Sequence, residues 1–156
     1  MARIKDETKI ADIKRAAISI VNQRGFNGFK MADVAKEAGI ATGTLYIYYK
    51  DKDELVNNIY LDLKTEIASV ILSEENKGVT FYESFRKMWF SYTFFCLEMP
   101  EKMMFVEQFY NSGLLKEETV EIGEKLFIPL DYFLNESKQQ GFIRDCDIKL
   151  IKAQLL

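Results

Sequence analysis

MADVAKEAGIATGTLYIYYKDKDEL, residues 31–55, decides the fold of this 156-residue chain. Its opening predicts a short helix over Met31–Ala38, with Val34, Ala35 and Ala38 on the apolar side. Gly39 supplies a backbone free to stop that helix and reverse the chain. Ile40 then points back into a small core. A second helix follows from about Thr42 to Tyr49, with Leu45 and Tyr49 four apart on its buried face. Two helices joined by a few residues including Gly form a helix-turn-helix, whose second helix can lie in the DNA major groove. A plain helical hairpin has the same spacing, so the exposed face of the second helix has to separate the two readings. That face offers Thr42, Thr44, Tyr46 and Tyr48, with Lys50 and Lys52 just beyond, and no acidic residue lies between Ala38 and Lys50. Hydroxyls and ammonium groups bond phosphate oxygens, and hydroxyls and apolar tips also touch base edges. A surface without carboxylates suits a polyanion.

Working outward, Ile10, Ile13, Ala17 and Ile20 fall at helical spacing ahead of this stretch, and Arg24-Gly25-Phe26 ends that helix. Together with A-G-I-A-T-G-T-L-Y-I-Y-Y-K-D-K-D-E-L, these residues resemble the DNA-binding signature of the TetR family of bacterial transcriptional regulators, over about the first 60 residues. The resemblance implies a three-helix DNA-binding head over residues 1–51 and a helical ligand-binding and dimerisation body over 52–156. It also implies DNA contacts from Lys30, Thr42, Gly43, Thr44, Tyr46, Ile47, Tyr48, Lys50 and Lys52. Three positions depart from the family pattern. Ala41 stands where a capping Ser or Thr is common, and Thr42 is expected to take over as the cap, a gain of about 1 kcal/mol over Ala. Lys30 replaces a phosphate-holding hydroxyl and acts as a point charge. Ala32 replaces a common Arg, which removes one plausible base contact.

Charge supports a protein that meets DNA at one end. Residues 1–52 carry ten Lys and Arg against six Asp and Glu, a net +4, whereas the remainder is net −7. The chain has no His, and Cys96 and Cys146 are isolated. His-based zinc or haem sites and His triads are thereby excluded, and a disulfide framework is not expected. Without paired carboxylates at suggestive spacing either, an enzyme is the weakest reading; no cofactor is expected. Ala2-Arg3-Ile4-Lys5-Asp6-Glu7 does not read as a signal peptide, and no apolar run reaches membrane-spanning length. The expected setting is cytoplasmic, away from membranes.

The remainder reads as helices. Leu55, Ile59, Leu63, Ile67 and Val70 mark a helix that leaves the head, closed by Glu74-Glu75-Asn76-Lys77-Gly78. Thr80 and Glu83 form a capping box for a helix running to Glu98. Another helix covers Glu101–Tyr110, and a long one runs from Lys116 to Gln140 with Pro129 predicting a kink or break. A last helix starts near Cys146 and still runs at Leu156, which predicts that closing helices of the body are missing or shortened. Aromatic and Met residues crowd this half. Most of them read as core. Phe85, Met88, Trp89, Tyr92, Met104, Phe109 and Tyr132 are the candidates for lining a ligand site, one suited to a flat hydrophobic or cationic molecule.

The whole reading is an all-α, ligand-responsive DNA-binding repressor. It is expected to bind a double-stranded operator as a homodimer and to release it on binding a small hydrophobic or aromatic inducer. The alternative is an activator, or a regulator without ligand.

Overall fold

The computed structural model describes residues 6–155, so the polar opening at Ala2–Lys5 and the final Leu156 lie outside the described residues. The described residues form nine α-helices and no strand: α1 Glu7–Arg24, α2 Met31–Glu37, α3 Thr42–Tyr48, α4 Lys52–Ile71, α5 Phe81–Glu98, α6 Pro100–Tyr110, α7 Glu117–Lys125, α8 Ile128–Gln139 and α9 Ile148–Leu155. The all-α expectation holds. Two compact units emerge. The first takes the chain up to Leu63 and adds Met99–Thr119; the second takes Lys64–Glu98 and the chain from Val120 onward.

In the first unit, α1 opens on Asp6, whose carboxylate accepts a hydrogen bond from the Thr8 N–H at 3.1 Å. Ile13, Ala17, Ile20 and Val21 are buried along one face, the helical spacing expected from the sequence. The helix stops at Gly25, φ 65°, and α2 stops the same way at Gly39, φ 68°. At Gly39 the main chain closes a Schellman motif: the Gly39 N–H donates to Lys36 C=O at 3.2 Å and the Ile40 N–H to Ala35 C=O at 2.9 Å. Ile40 packs on the core at the same step. The turn of the helix-turn-helix is therefore held by its own backbone.

The core of this unit also draws on a distant part of the chain. Phe105 and Phe109 of α6 are fully buried among the head residues. Phe26 meets both rings, at centroid distances of 5.6 and 5.3 Å, and Tyr60 meets Phe109 at 5.4 Å. The Asn22 amide donates to the Glu101 carbonyl at 2.8 Å. Asn57, buried on α4, donates to Asp53 C=O at 2.8 Å and accepts from the Lys116 N–H at 3.3 Å, which ties down the segment after α6. An ion pair of Lys14 with Asp62 links α1 to α4.

In the second unit, Asn76 lies where a polar linker was expected but is buried. Its amide donates to Val70 C=O at 2.7 Å and Ile71 C=O at 2.9 Å, satisfying the last turn of α4, and its oxygen accepts from Ser91 at 2.9 Å. The Thr80–Glu83 capping box is present: the Glu83 N–H donates to Thr80 Oγ1 at 3.2 Å and the Thr80 N–H to Glu83 Oε2 at 3.3 Å. The long helix expected from Lys116 to Gln140 is two, α7 and α8, with Phe127 at the N-cap of α8 and Pro129 in its first turn, where no N–H donor is needed. Phe81 stacks on Phe85, Phe133 and Phe142 at 5.5–5.6 Å. Leu130 and Leu134 of α8 and Phe127 are buried.

Candidate DNA-binding surface

Helix α3 buries Leu45, and Tyr49, its C-cap, is also buried. Burial, with the Asp62 and Glu54 carboxylates nearby, pushes the Tyr49 phenol up to about 12. The opposite face is open. Lys30, Thr42, Gly43, Tyr46, Ile47 and Lys50 are exposed, with Tyr46 at 50% and Ile47 at 61%; Thr44 is half-buried. The first turn of α3 contains no acidic residue. A Cβ added at Gly43 would meet no atom within 4 Å, and its φ is not positive. Nothing inside the chain requires glycine there, although Gly in a helix costs roughly 1 kcal/mol relative to Ala.

Three sequence expectations are corrected by local geometry. Ala41, not Thr42, is the N-cap of α3; Thr42 is already helical, and no side chain caps this end. The Thr44 and Leu45 N–H groups instead donate to Ala41 C=O at 2.9 and 3.2 Å. Lys52 is not a free phosphate contact. Its ammonium donates to the Phe26 carbonyl and sits 5.4 Å above the Phe29 ring, so it braces the turn between α1 and α2. Tyr48 is half-buried and its hydroxyl accepts from the Asp6 N–H at 3.4 Å, next to the start of α1.

The segment after α3 carries a device that sequence reading passed over. Asp51 Oδ1 accepts from the Glu54 N–H at 2.8 Å, while the Glu54 carboxylate accepts from the Lys50 N–H. This reciprocal cap starts α4 and fixes the exit from α3. The signal was present as Asp-x-x-Glu, the spacing read correctly at Thr80–Glu83.

The seven candidate ligand residues are divided between the two units. Phe109 is core of the first unit, spent on packing against Phe26, Tyr60 and Phe105, which removes it from a ligand-lining role. Met104, 48% exposed, lines a groove of about 660 Å3 in the same unit, together with Arg24, Asn27, Glu107 and Asn111. The other five lie in the second unit. Phe85 is stacked on Phe81, and Met88 and Tyr92 are half-buried; burial, then Cys96, raises the Tyr92 phenol. Trp89 is 43% and Tyr132 73% exposed. No helix among the described residues is long and apolar enough to cross a membrane.

Comparison with known proteins agrees with this geometry. Residues 13–59 match the family described as bacterial regulatory proteins, tetR family, and residues 81–154 match a tetracyclin repressor-like C-terminal domain. An uncharacterized HTH-type transcriptional regulator of Haemophilus influenzae is 25% identical over 140 residues, 89% of this chain and 73% of its own length. The fatty acid metabolism regulator protein of Bacillus subtilis is 24% identical over 151 residues, 94% of this chain and 77% of its own. A crystal structure of a TetR family transcription regulator from Marinobacter aquaeolei superposes with a TM-score of 0.90 at 26% identity, covering 97% of this chain and 80% of that one.

Proposed function

The chain belongs to the TetR family of bacterial transcriptional regulators, and from that premise we propose that it is a ligand-responsive repressor whose operator contacts come from the open face of α3. The observation that carries the DNA-contact part is the exposed, acid-free face around Gly43. A glycine that the fold does not need lets a partner's backbone come close. In this reading the exposed Lys30 and Lys50 contact phosphates, and Thr44, Tyr46 and Ile47 touch base edges.

The protein acts as a homodimer on a palindromic operator, since one short helix reads too few base pairs. A small apolar molecule bound in the second unit favours a state in which the two heads no longer match successive major grooves, and operator release follows. Helix α4, continuous from Lys52 to Ile71, carries the change. A relative named for fatty acid metabolism supports an apolar effector.

Duplexes selected from a random pool provide the DNA test. Gly43→Ala is expected to stabilise the fold slightly yet weaken the selected site, two effects of opposite sign. Thr44→Ala and Tyr46→Ala should each cost about 1–3 kcal/mol on the selected site and little on unrelated DNA. Lys30→Ala and Lys50→Ala should weaken all sequences alike and lower the salt slope by about one unit. Unchanged affinity in all five variants refutes the α3 contact surface. For the sensor, fluorescence of Trp89, the only tryptophan, is titrated with hydrophobic aromatic compounds while operator binding is followed. Parallel responses support the reading; activation of transcription, or DNA binding insensitive to every compound, favours the activator or ligand-free alternative.

A further inference from the structure

Two lysines approach one buried ring in the second unit, and they are in opposite situations. Phe127 is 1% exposed; the Lys64 ammonium lies 4.6 Å from its centroid and the Lys152 ammonium 6.0 Å. Lys152 is satisfied. Its Nζ pairs with Asp131 at 3.0 Å and Glu124 at 3.2 Å. Burial pulls its pKa down, but these two carboxylates outweigh that and the net shift is upward. Lys64 has no such partner: no hydrogen bond or ion pair reaches its ammonium among the described residues, and the Phe127 ring is its neighbour at 4.6 Å. Burial is the main influence on Lys64 and lowers its pKa, Glu124 offsets this in part, and the charge of Lys152 adds to the lowering.

An ammonium carries three donors, and a cation–π contact uses none of them. Packing does not ask for a charge here, since an aliphatic side chain would cover Phe127 without losing hydration. The two neighbouring carboxylates bond Lys152, so the donors of the Lys64 ammonium remain open to a group arriving there.

We propose that Lys64 anchors the anionic group, a carboxylate or a phosphate, of the small molecule that the second unit senses. The inference rests on the ligand-sensing reading above and sharpens it, because it replaces the flat or cationic ligand suggested by the aromatic content with an anionic amphiphile. Such a group gains charge-assisted hydrogen bonds from Lys64. A cationic group would meet the Lys64 ammonium, while the Glu124 and Asp131 carboxylates are already taken by Lys152.

The test uses the full chain and four probes with the same ten-carbon tail and different heads: decanoate, decyl phosphate, decanol and decyltrimethylammonium, each at micromolar concentration, with binding read by calorimetry and by Trp89 fluorescence. The two anions are expected to bind about tenfold or more tightly than decanol, and the cation more weakly. Decanoate alone or decyl phosphate alone showing the preference identifies which anion the site takes. Lys64→Met should erase the anionic preference while leaving decanol affinity in place. Lys64→Arg should keep the preference, and Lys64→Gln, checked by circular dichroism, covers the case of a poorly folded Met variant. Equal binding of all four heads, or an anionic preference that survives in Lys64→Met and Lys64→Gln, overturns the anchor alone and leaves a sensor of neutral molecules. Binding of none of the four overturns the anchor together with the sensing of apolar chains.

Discussion

The two units bury their apolar residues to different degrees. The first encloses one continuous core that runs from Ile13 through Leu45 and Leu63 to Phe105 and Phe109. The second has few fully buried side chains, among them Phe127 and Leu134, and leaves Tyr82, Phe90, Phe94, Leu97, Tyr132 and Phe142 exposed. The contrast fits the division of labour proposed above. A reading head needs one rigid shape, because its side chains must meet fixed positions on DNA. A sensing body gains from apolar surface that is not yet committed, since such surface is what a ligand or a second copy can cover. The open face of α3, by contrast, offers hydroxyls and the apolar tips of Tyr46 and Ile47, with the Lys50 ammonium just beyond, on a frame held by caps and a dense core.

The largest expected effect tests the depth of the head core. Phe105→Ala should cost about 3–5 kcal/mol of unfolding free energy, measured by urea titration, and should abolish DNA binding although Phe105 lies far in sequence from α3. A cost near that of a surface change would show that α6 is not part of the head. Next in size, Asp51→Ala removes the cap of α4 and should cost about 0.5–2 kcal/mol. It should also loosen hydrogen-exchange protection at the Glu54 amide, which Asp51 accepts from. A smaller effect appears only at high pH. The native Tyr49 phenol is raised above its ordinary value to about 12, so the fold favours the neutral form. Its stabilising contribution is full below about pH 10 and is lost as pH rises from there towards 12. Tyr49→Phe should flatten that alkaline decline; an identical decline in both proteins would assign it elsewhere. The smallest expected change is Phe94→Ala on the exposed face of α5, below about 0.5 kcal/mol in the isolated chain. A cost of several kcal/mol would mean that this face is covered in solution, and the contrast between the units would then belong to the single chain only.

Much of the reading head is legible in the residues themselves. Gly39 stops α2, Leu45 and Tyr49 turn inward, and the acid-free face of α3 turns outward. Thr80–Glu83 caps α5 and Pro129 marks the break before α8. Each of these is decided within a turn or two of helix, where capping geometry, backbone freedom and periodicity act on neighbours in sequence. Two of the errors, unlike the local ones at the caps of α3 and α4, come from groups distant in sequence. Lys52 reads as a surface cation until the Phe26 carbonyl, 26 residues earlier, is placed under it. Phe109 reads as one more ring of an aromatic body until Phe26 and Tyr60 surround it.

By itself, then, the amino-acid sequence determined the helices, their caps and breaks, the helix-turn-helix and the family, because these follow from local backbone preference and short-range spacing. Tertiary structure alone decided that α6 completes the core of the head, that Asn76 closes α4 from within, and that of two lysines beside Phe127 one is paired and the other is not. Those outcomes depend on which distant groups arrive at the same place, and burial sets their energetic weight: a carbonyl, a carboxylate or a ring matters to a side chain only once water has been excluded between them.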